Sequence, residues 1–164
     1  MEEIDRVDHN DKALRKCVLS LLGGRNAHIG FEGFVKDFPA DACGRLISGL
    51  PYTAWQVLEH MRIAQWDILE FSRDPAHVSP KFPKGYWPNP DELGNAALWN
   101  ETVEKSRADM KQMEALVADP STDLFEKIPH GKGQTLLREA LLIADHNAYH
   151  LGALAVMNRI LKSK

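Results

Sequence analysis

The 164 residues carry 44% hydrophobic and 26% charged side chains, a globular balance that excludes both a disordered chain and a membrane-embedded one. The formal charge of -3 supplies no basic stripe of the kind that tracks a phosphate backbone, so no nucleic-acid partner is expected. One core of this size can bury enough apolar surface to fold without disulfide or structural metal, and a single domain over residues 1–164 is expected.

The acidic start, Met1-Glu2-Glu3-Ile4-Asp5, lacks the apolar centre of a signal peptide. No apolar run of about 18 residues follows, so a cytoplasmic protein with no membrane span is expected. A first helix is predicted from about residue 8 to 22, where Leu14, Val18, Leu21 and Leu22 recur at helical spacing and Gly23-Gly24 stops the pattern. Lys12, Arg15 and Lys16 read as its solvated face, and Cys17 as a buried thiol. Cys17 and Cys43 form no CxxC pair.

A short helix is predicted over about 27–38, with Phe31, Phe34, Val35 and Phe38 on one face and Pro39 at its end. A connector with Gly44, Gly49 and Pro51 leads to a second long helix. Thr53-Ala54-Trp55-Gln56 has the form of a capping box, and Val57, Met61, Ala64, Ile68 and Phe71 form a stripe to about residue 72. Pro75, Pro80, Pro83, Pro88 and Pro90, five of the nine prolines, then forbid helix. Phe82, Tyr86 and Trp87 give this loop apolar anchors.

The third long helix is predicted to start with Asn89 as cap and Pro90 as first helical residue, and to end near Ala118. Its stripe reads Trp99, Val103, Met110, Met113 and Val117. Thr135 is the predicted cap of the fourth, which reaches about Lys162 with Leu136, Ala140, Ile143, Asn147, His150, Leu154, Met157 and Leu161 inward. The chain therefore reads as all-α: a four-helix bundle with an additional short helix between the first and second long helices. Another all-helical packing with different connections stays open.

Three of the seven histidines stand out. His146 and His150, four residues apart, share a face of the last helix one turn from each other. That spacing suits two imidazoles converging on one ion, and His60 lies at the margin of the inward stripe on the second long helix. Bundle metal sites are built from such inward side chains on facing helices. A core histidine bonded to a carbonyl is the competing reading. His9 and His77 read as surface or loop residues, while His28 and His130 are at most residues of a pocket mouth.

Asp145-His146-Asn147-Ala148-Tyr149-His150-Leu151-Gly152 and Leu58-Glu59-His60 resemble the signature of the DinB/YfiT-like family. The resemblance covers essentially the whole chain. It implies a four-helix bundle, frequently a homodimer, that binds a divalent ion, nickel or zinc, through three histidines, here His60, His146 and His150. It also implies thiol-dependent transferase or isomerase activity, or metal-dependent hydrolysis, with a small-molecule substrate such as a low-molecular-weight thiol. One departure is Gly152-Ala153, where relatives often carry Gly-Gln.

Three neutral imidazoles leave an ion its full charge and an open position, the pattern of catalytic rather than structural zinc. No general base is assigned: Glu139 and Asp67 read as surface carboxylates and Asp145 as solvated. The proline-rich loop leaves the second helix about 18 Å beyond His60, whereas the connector before Thr53 is only about 10 Å away. Residues from Leu46 to Tyr52 and the short helix are therefore expected to shape the pocket, and the long loop to brace the bundle or a dimer contact. A metal-binding or stress-response module without catalysis, and a scaffold without metal, remain as alternatives.

Overall fold

A computed structural model describes residues 2–24 and 26–163, with side chains from residue 9 onward. Its helices are α1 (Glu2–Leu22), α2 (Phe31–Asp37), α3 (Ala54–Arg73), α4 (Ala96–Ala118) and α5 (Leu136–Lys162), with short 3-10 turns at Ala40–Ala42 and Lys84–Tyr86. There is no β-strand among the described residues. The all-α class and the extra short helix between the first two long ones are as expected. No described helix is long and apolar enough to cross a membrane.

α1 and α3 each pack against both α4 and α5. α3 and α4 run parallel: Trp55 donates to Thr102, Gln65 to the Ser106 carbonyl, and Arg73 pairs with Gln112. α5 runs antiparallel to α3, with Gln65 beside Asn147 and His60 beside His150. Two apolar clusters fill the interior. One gathers Phe34, Phe38, Trp55, Leu58, Met61, Trp99 and Leu154, with Phe38 stacked on Trp99 at 4.3 Å. The other joins Val18, Leu22, Leu69, Met113, Val117 and Ile143 at the opposite end. Each such side chain, removed from water, contributes about 1.5–3 kcal/mol against the entropy of folding.

A parallel α3–α4 pair demands a return connection as long as α3 itself, about 30 Å for 20 residues. The proline-rich segment is that return. It leaves α3 at Arg73 and runs back along the helix it has just left. His77 reaches Asp67, Tyr86 reaches both Asp67 and His60, and the Pro90 and Glu92 carbonyls accept from Gln56. The Leu93 carbonyl accepts from Thr53. The loop is thus strapped to α3 from end to end.

The strap explains why α4 starts later than predicted. The carbonyls of Pro90, Glu92 and Leu93 are taken by the N-terminal side chains of α3, so residues 89–94 cannot wind into helix. Gly94 then turns the chain at φ +92, where a Cβ would lie 2.5 Å from Trp55. Asn95 is the cap, its Oδ1 accepting from the Ala97 and Leu98 amides. Asn89 closes only a local turn onto Asp91.

Other expectations shift for equally local reasons. α2 is shorter than predicted because Gly30 lies so close to Gly24 that a Cβ would sit 2.6 Å from its carbonyl, and residues 26–30 form that turn. Leu21 is 45% exposed, since neighbouring Leu22, about 100° away, takes the core position. Cys17 is exposed, on the face of α1 turned from the core. Arg15 is buried rather than solvated: its guanidinium donates to the carbonyls of Val117, Asp119 and Thr122 at 2.7, 2.9 and 2.7 Å. Those are the orphan carbonyls at and beyond the end of α4, which a cation satisfies both by hydrogen bonds and by charge. The capping box of α3 is present with both arms, and Thr135 caps α5.

Candidate metal centre

His60 projects from the second turn of α3, and His146 and His150 from the middle of α5, where those helices lie side by side. Their Nε2 atoms meet: 3.2 Å separates His60 from His150 and 3.3 Å separates His60 from His146. The three offer ligand atoms all within 4.8 Å of one another, and no carboxylate or thiol joins the group among the described residues. Nitrogens about 2.0–2.1 Å from a tetrahedral zinc stand about 3.3 Å apart, so the spacing suits one shared ion.

The hydrogen bonding around the rings sharpens that fit. His60 Nδ1 lies 2.7 Å from the Tyr86 carbonyl oxygen, which can only accept, so Nδ1 carries the proton and Nε2 presents a lone pair. One lone pair in the ring plane faces two further imidazoles. Without a cation, both would have to donate to it. His146 Nδ1 and Asn147 Oδ1 are buried without a hydrogen-bond partner, and both lie outside the group of converging Nε2 atoms. A cation at the centre would satisfy all three Nε2 lone pairs together.

Electrostatics point the same way. Burial lowers the pKa of His60, opposed by its bond to the Tyr86 carbonyl. It lowers His146, helped by nearby His60 and opposed by Asn147 and Asp145. Burial and the two neighbouring imidazoles push His150 down to about 4. All three rings are therefore held neutral near pH 7, the form that ligates.

The surroundings are largely aromatic. His60 lies flat on Trp87, centroids 4.0 Å apart, and Tyr52 stacks on Trp87 at 4.0 Å. Tyr149, 76% exposed, meets His150 edge-on at 5.0 Å. Between the two ligands of α5, Asn147 donates to Gln65, which donates in turn to the Ser106 carbonyl, tying α5 through α3 to α4. Beside the site a cavity of about 490 Å³ is lined by Tyr52, Gln56, Lys84, Trp87 and prolines.

Several expectations are corrected here. The proline-rich loop, expected to lie far from the site, supplies a wall of it through Tyr86 and Trp87. Of the connector before α3, Tyr52 reaches the site by way of Trp87, whereas Leu46 is 66% exposed. Asp67 is buried, accepting from Tyr86 Oη at 2.6 Å and His77 Nε2 at 2.7 Å. His77 lies in the loop, as expected, and its side chain turns inward onto Asp67. The Tyr86 hydroxyl is held protonated, its pKa raised to about 12 by burial and by the Asp67 carboxylate. Glu139 is buried too, paired with Arg138 at 2.6 Å. Asp145 is exposed, as expected. His130 donates from Nε2 to the Phe71 carbonyl at the end of α3, 2.6 Å away, while His28 lines a separate cavity beside α5. Gly152 and Ala153 are both exposed, so that departure from the family pattern alters the surface and leaves the cluster intact.

An all-helical bundle with three histidines from two facing helices converging on one point is a recognisable class of protein. The family model of the DinB superfamily matches residues 30–154, and the chain belongs to that superfamily. No curated protein and no solved structure matches the chain significantly.

Proposed function

We propose that the protein binds one divalent metal ion, zinc or nickel, through His60, His146 and His150, and uses it as an open, electrophilic site for a small-molecule substrate. The observation that carries this reading is the approach of the His150 and His146 Nε2 atoms to 3.2 and 3.3 Å from a His60 Nε2 whose lone pair is fixed by the Tyr86 carbonyl. Three neutral ligands leave the ion its double charge and a vacant coordination position, at which water or a thiol loses its proton readily.

The chain's own contribution is to orient and to shield. Trp87 and Tyr52 form an apolar wall on one side, and Tyr149 stands at the rim on the other. No carboxylate joins the three histidines as a ligand among the described residues. A neutral ligand set leaves the ion its full charge and suits capture of an anionic sulfur, so thiol-dependent group transfer is preferred over hydrolysis. The acceptor is a small electrophile, and the expected assembly is a cytoplasmic homodimer.

Elemental analysis tests the site. Wild-type protein should carry about one zinc or nickel per chain, and His150→Ala should carry almost none; equal metal content in the two would remove the assignment. Turnover is tested by pairing low-molecular-weight thiols with electrophilic acceptors, alongside ester and amide hydrolysis, each against metal-free protein. Thiol consumption that needs the metal supports transfer, and metal-dependent hydrolysis alone would overturn that preference.

A further inference from the structure

We propose that Tyr86 is a positioning residue for the His60 ligand, held in register by the buried Asp67–His77 pair; this rests on the metal site proposed above. His60 and Asp67 are seven residues apart on α3, two turns along the same face, about 10 Å along the axis. Tyr86 bridges them. Its backbone carbonyl accepts from His60 Nδ1 at 2.7 Å, and its hydroxyl donates to Asp67 Oδ2 at 2.6 Å. The other carboxylate oxygen accepts from His77 Nε2 at 2.7 Å, so both oxygens of a side chain that is only 9% exposed are engaged.

The arrangement is a two-ended strut. A lone carbonyl on a loop would be a loose partner for a ligand ring, because the loop could shift along α3. The hydroxyl bond removes that freedom by pinning the same residue two turns further along. Within the turn, the Gly85 amide donates to the Lys81 carbonyl at 2.7 Å and the Tyr86 amide to that of Pro83 at 3.2 Å, fixing the backbone that carries the acceptor. Next in sequence, Trp87 covers the flat face of His60 with rings only 4° from parallel. Tautomer, azimuth and tilt of the His60 ring are thus set by two consecutive loop residues whose register depends on a carboxylate remote from the metal. Partners of metal-bound histidines that fix the ring in this way commonly govern affinity about 10–100-fold.

Tyr86→Phe keeps the ring and the backbone carbonyl and removes only the strut's far end. Zinc affinity by competition with a chromophoric chelator is expected to weaken about 10–100-fold. The nitrogen-15 spectrum of metal-free protein should show His60 losing its uniform Nδ1–H tautomer. Asp67→Asn should act in the same direction, and the double variant should be little worse than either single one, since both break one strut. Arg15→Met, which loosens the far end of α4, is the stability control: lower melting temperature with unchanged zinc affinity is expected. Unchanged affinity and tautomer in Tyr86→Phe would overturn the proposal while leaving the metal site standing. Equal weakening in Arg15→Met would also overturn it, by making affinity a mere reflection of stability. If wild-type protein takes up no zinc, the metal reading falls, and the tautomer comparison still decides whether Tyr86 holds His60.

Discussion

His150 sits among two other imidazoles and the edge of Tyr149, and its protonated form is disfavoured first by burial and then by each neighbouring ring. Its folded pKa of about 4 lies below the ordinary value of 6.5, and those of His60 and His146 are lowered as well. Between pH 6.5 and about 4 the unfolded chain therefore holds a proton on His150 that the folded chain does not. Acid then favours unfolding. Metal-free protein should lose stability as the pH falls from 6.5 toward 4, and that component should be fully present above 6.5. Urea unfolding at stepped pH measures it, with His150→Gln as the comparison. A slope in that window no shallower in the variant than in wild type would contradict the assignment. The same shift keeps the nitrogen lone pairs available at neutral pH, which links the cost of burying three histidines to their use as ligands.

The boundary of α4 offers a discriminating test at the scale of one element. Asn89-Pro90-Asp91-Glu92 has every local mark of a helix start, and Asn95 has fewer, yet the helix begins after Asn95. Local preference loses because the carbonyls of Pro90, Glu92 and Leu93 are claimed by Gln56 and Thr53. Asn95→Ala should cost about 1 kcal/mol of stability, and Asn89→Ala clearly less, by thermal or urea unfolding. Equal costs would return the cap to Asn89. The elements with strong periodicity and unambiguous caps, α3 and α5, are legible in sequence because a 3.6-residue repeat fixes which side chains face inward; it sets His150 inward but His60 and His146 only at the margin, and the family motif is what singles out the three together. The route of the 74–95 segment is not legible. It depends on α3 and α4 being parallel, which no local pattern encodes: Tyr86 and Trp87 anchor the loop as expected, but beside the histidines rather than far from them, and Asp67 is buried rather than on the surface. One signal is in the sequence: His60 and Asp67 are seven residues apart, sharing a helix face, and the loop that follows is rich in aromatic side chains. Arg15 reads as solvated for the same reason, since its carbonyl partners lie more than 100 residues away in sequence.

For the molecule as a whole, the cluster joins α3 to α5 where the proline-rich strap lays Trp87 over the His60 ring. The helices there already share a packed interior, with Leu58, Met61 and Leu154 buried in one cluster. The fold therefore does not need the ion to form, but any ion that binds only the folded arrangement stabilises it by mass action. At a free zinc concentration about 100 times the dissociation constant, the gain is about 2.7 kcal/mol. For a domain of this size that raises the melting temperature by roughly 5–10 °C. Chelator should reverse the shift in wild-type protein. His60→Ala, which removes the only ligand on α3, should abolish it, because His146 and His150 alone no longer bridge two helices. Scanning calorimetry with zinc, nickel and chelator measures the effect. A metal-dependent rise of similar size in His60→Ala would mean that the ion binds elsewhere, and that the meeting of the three rings is packing rather than a binding site.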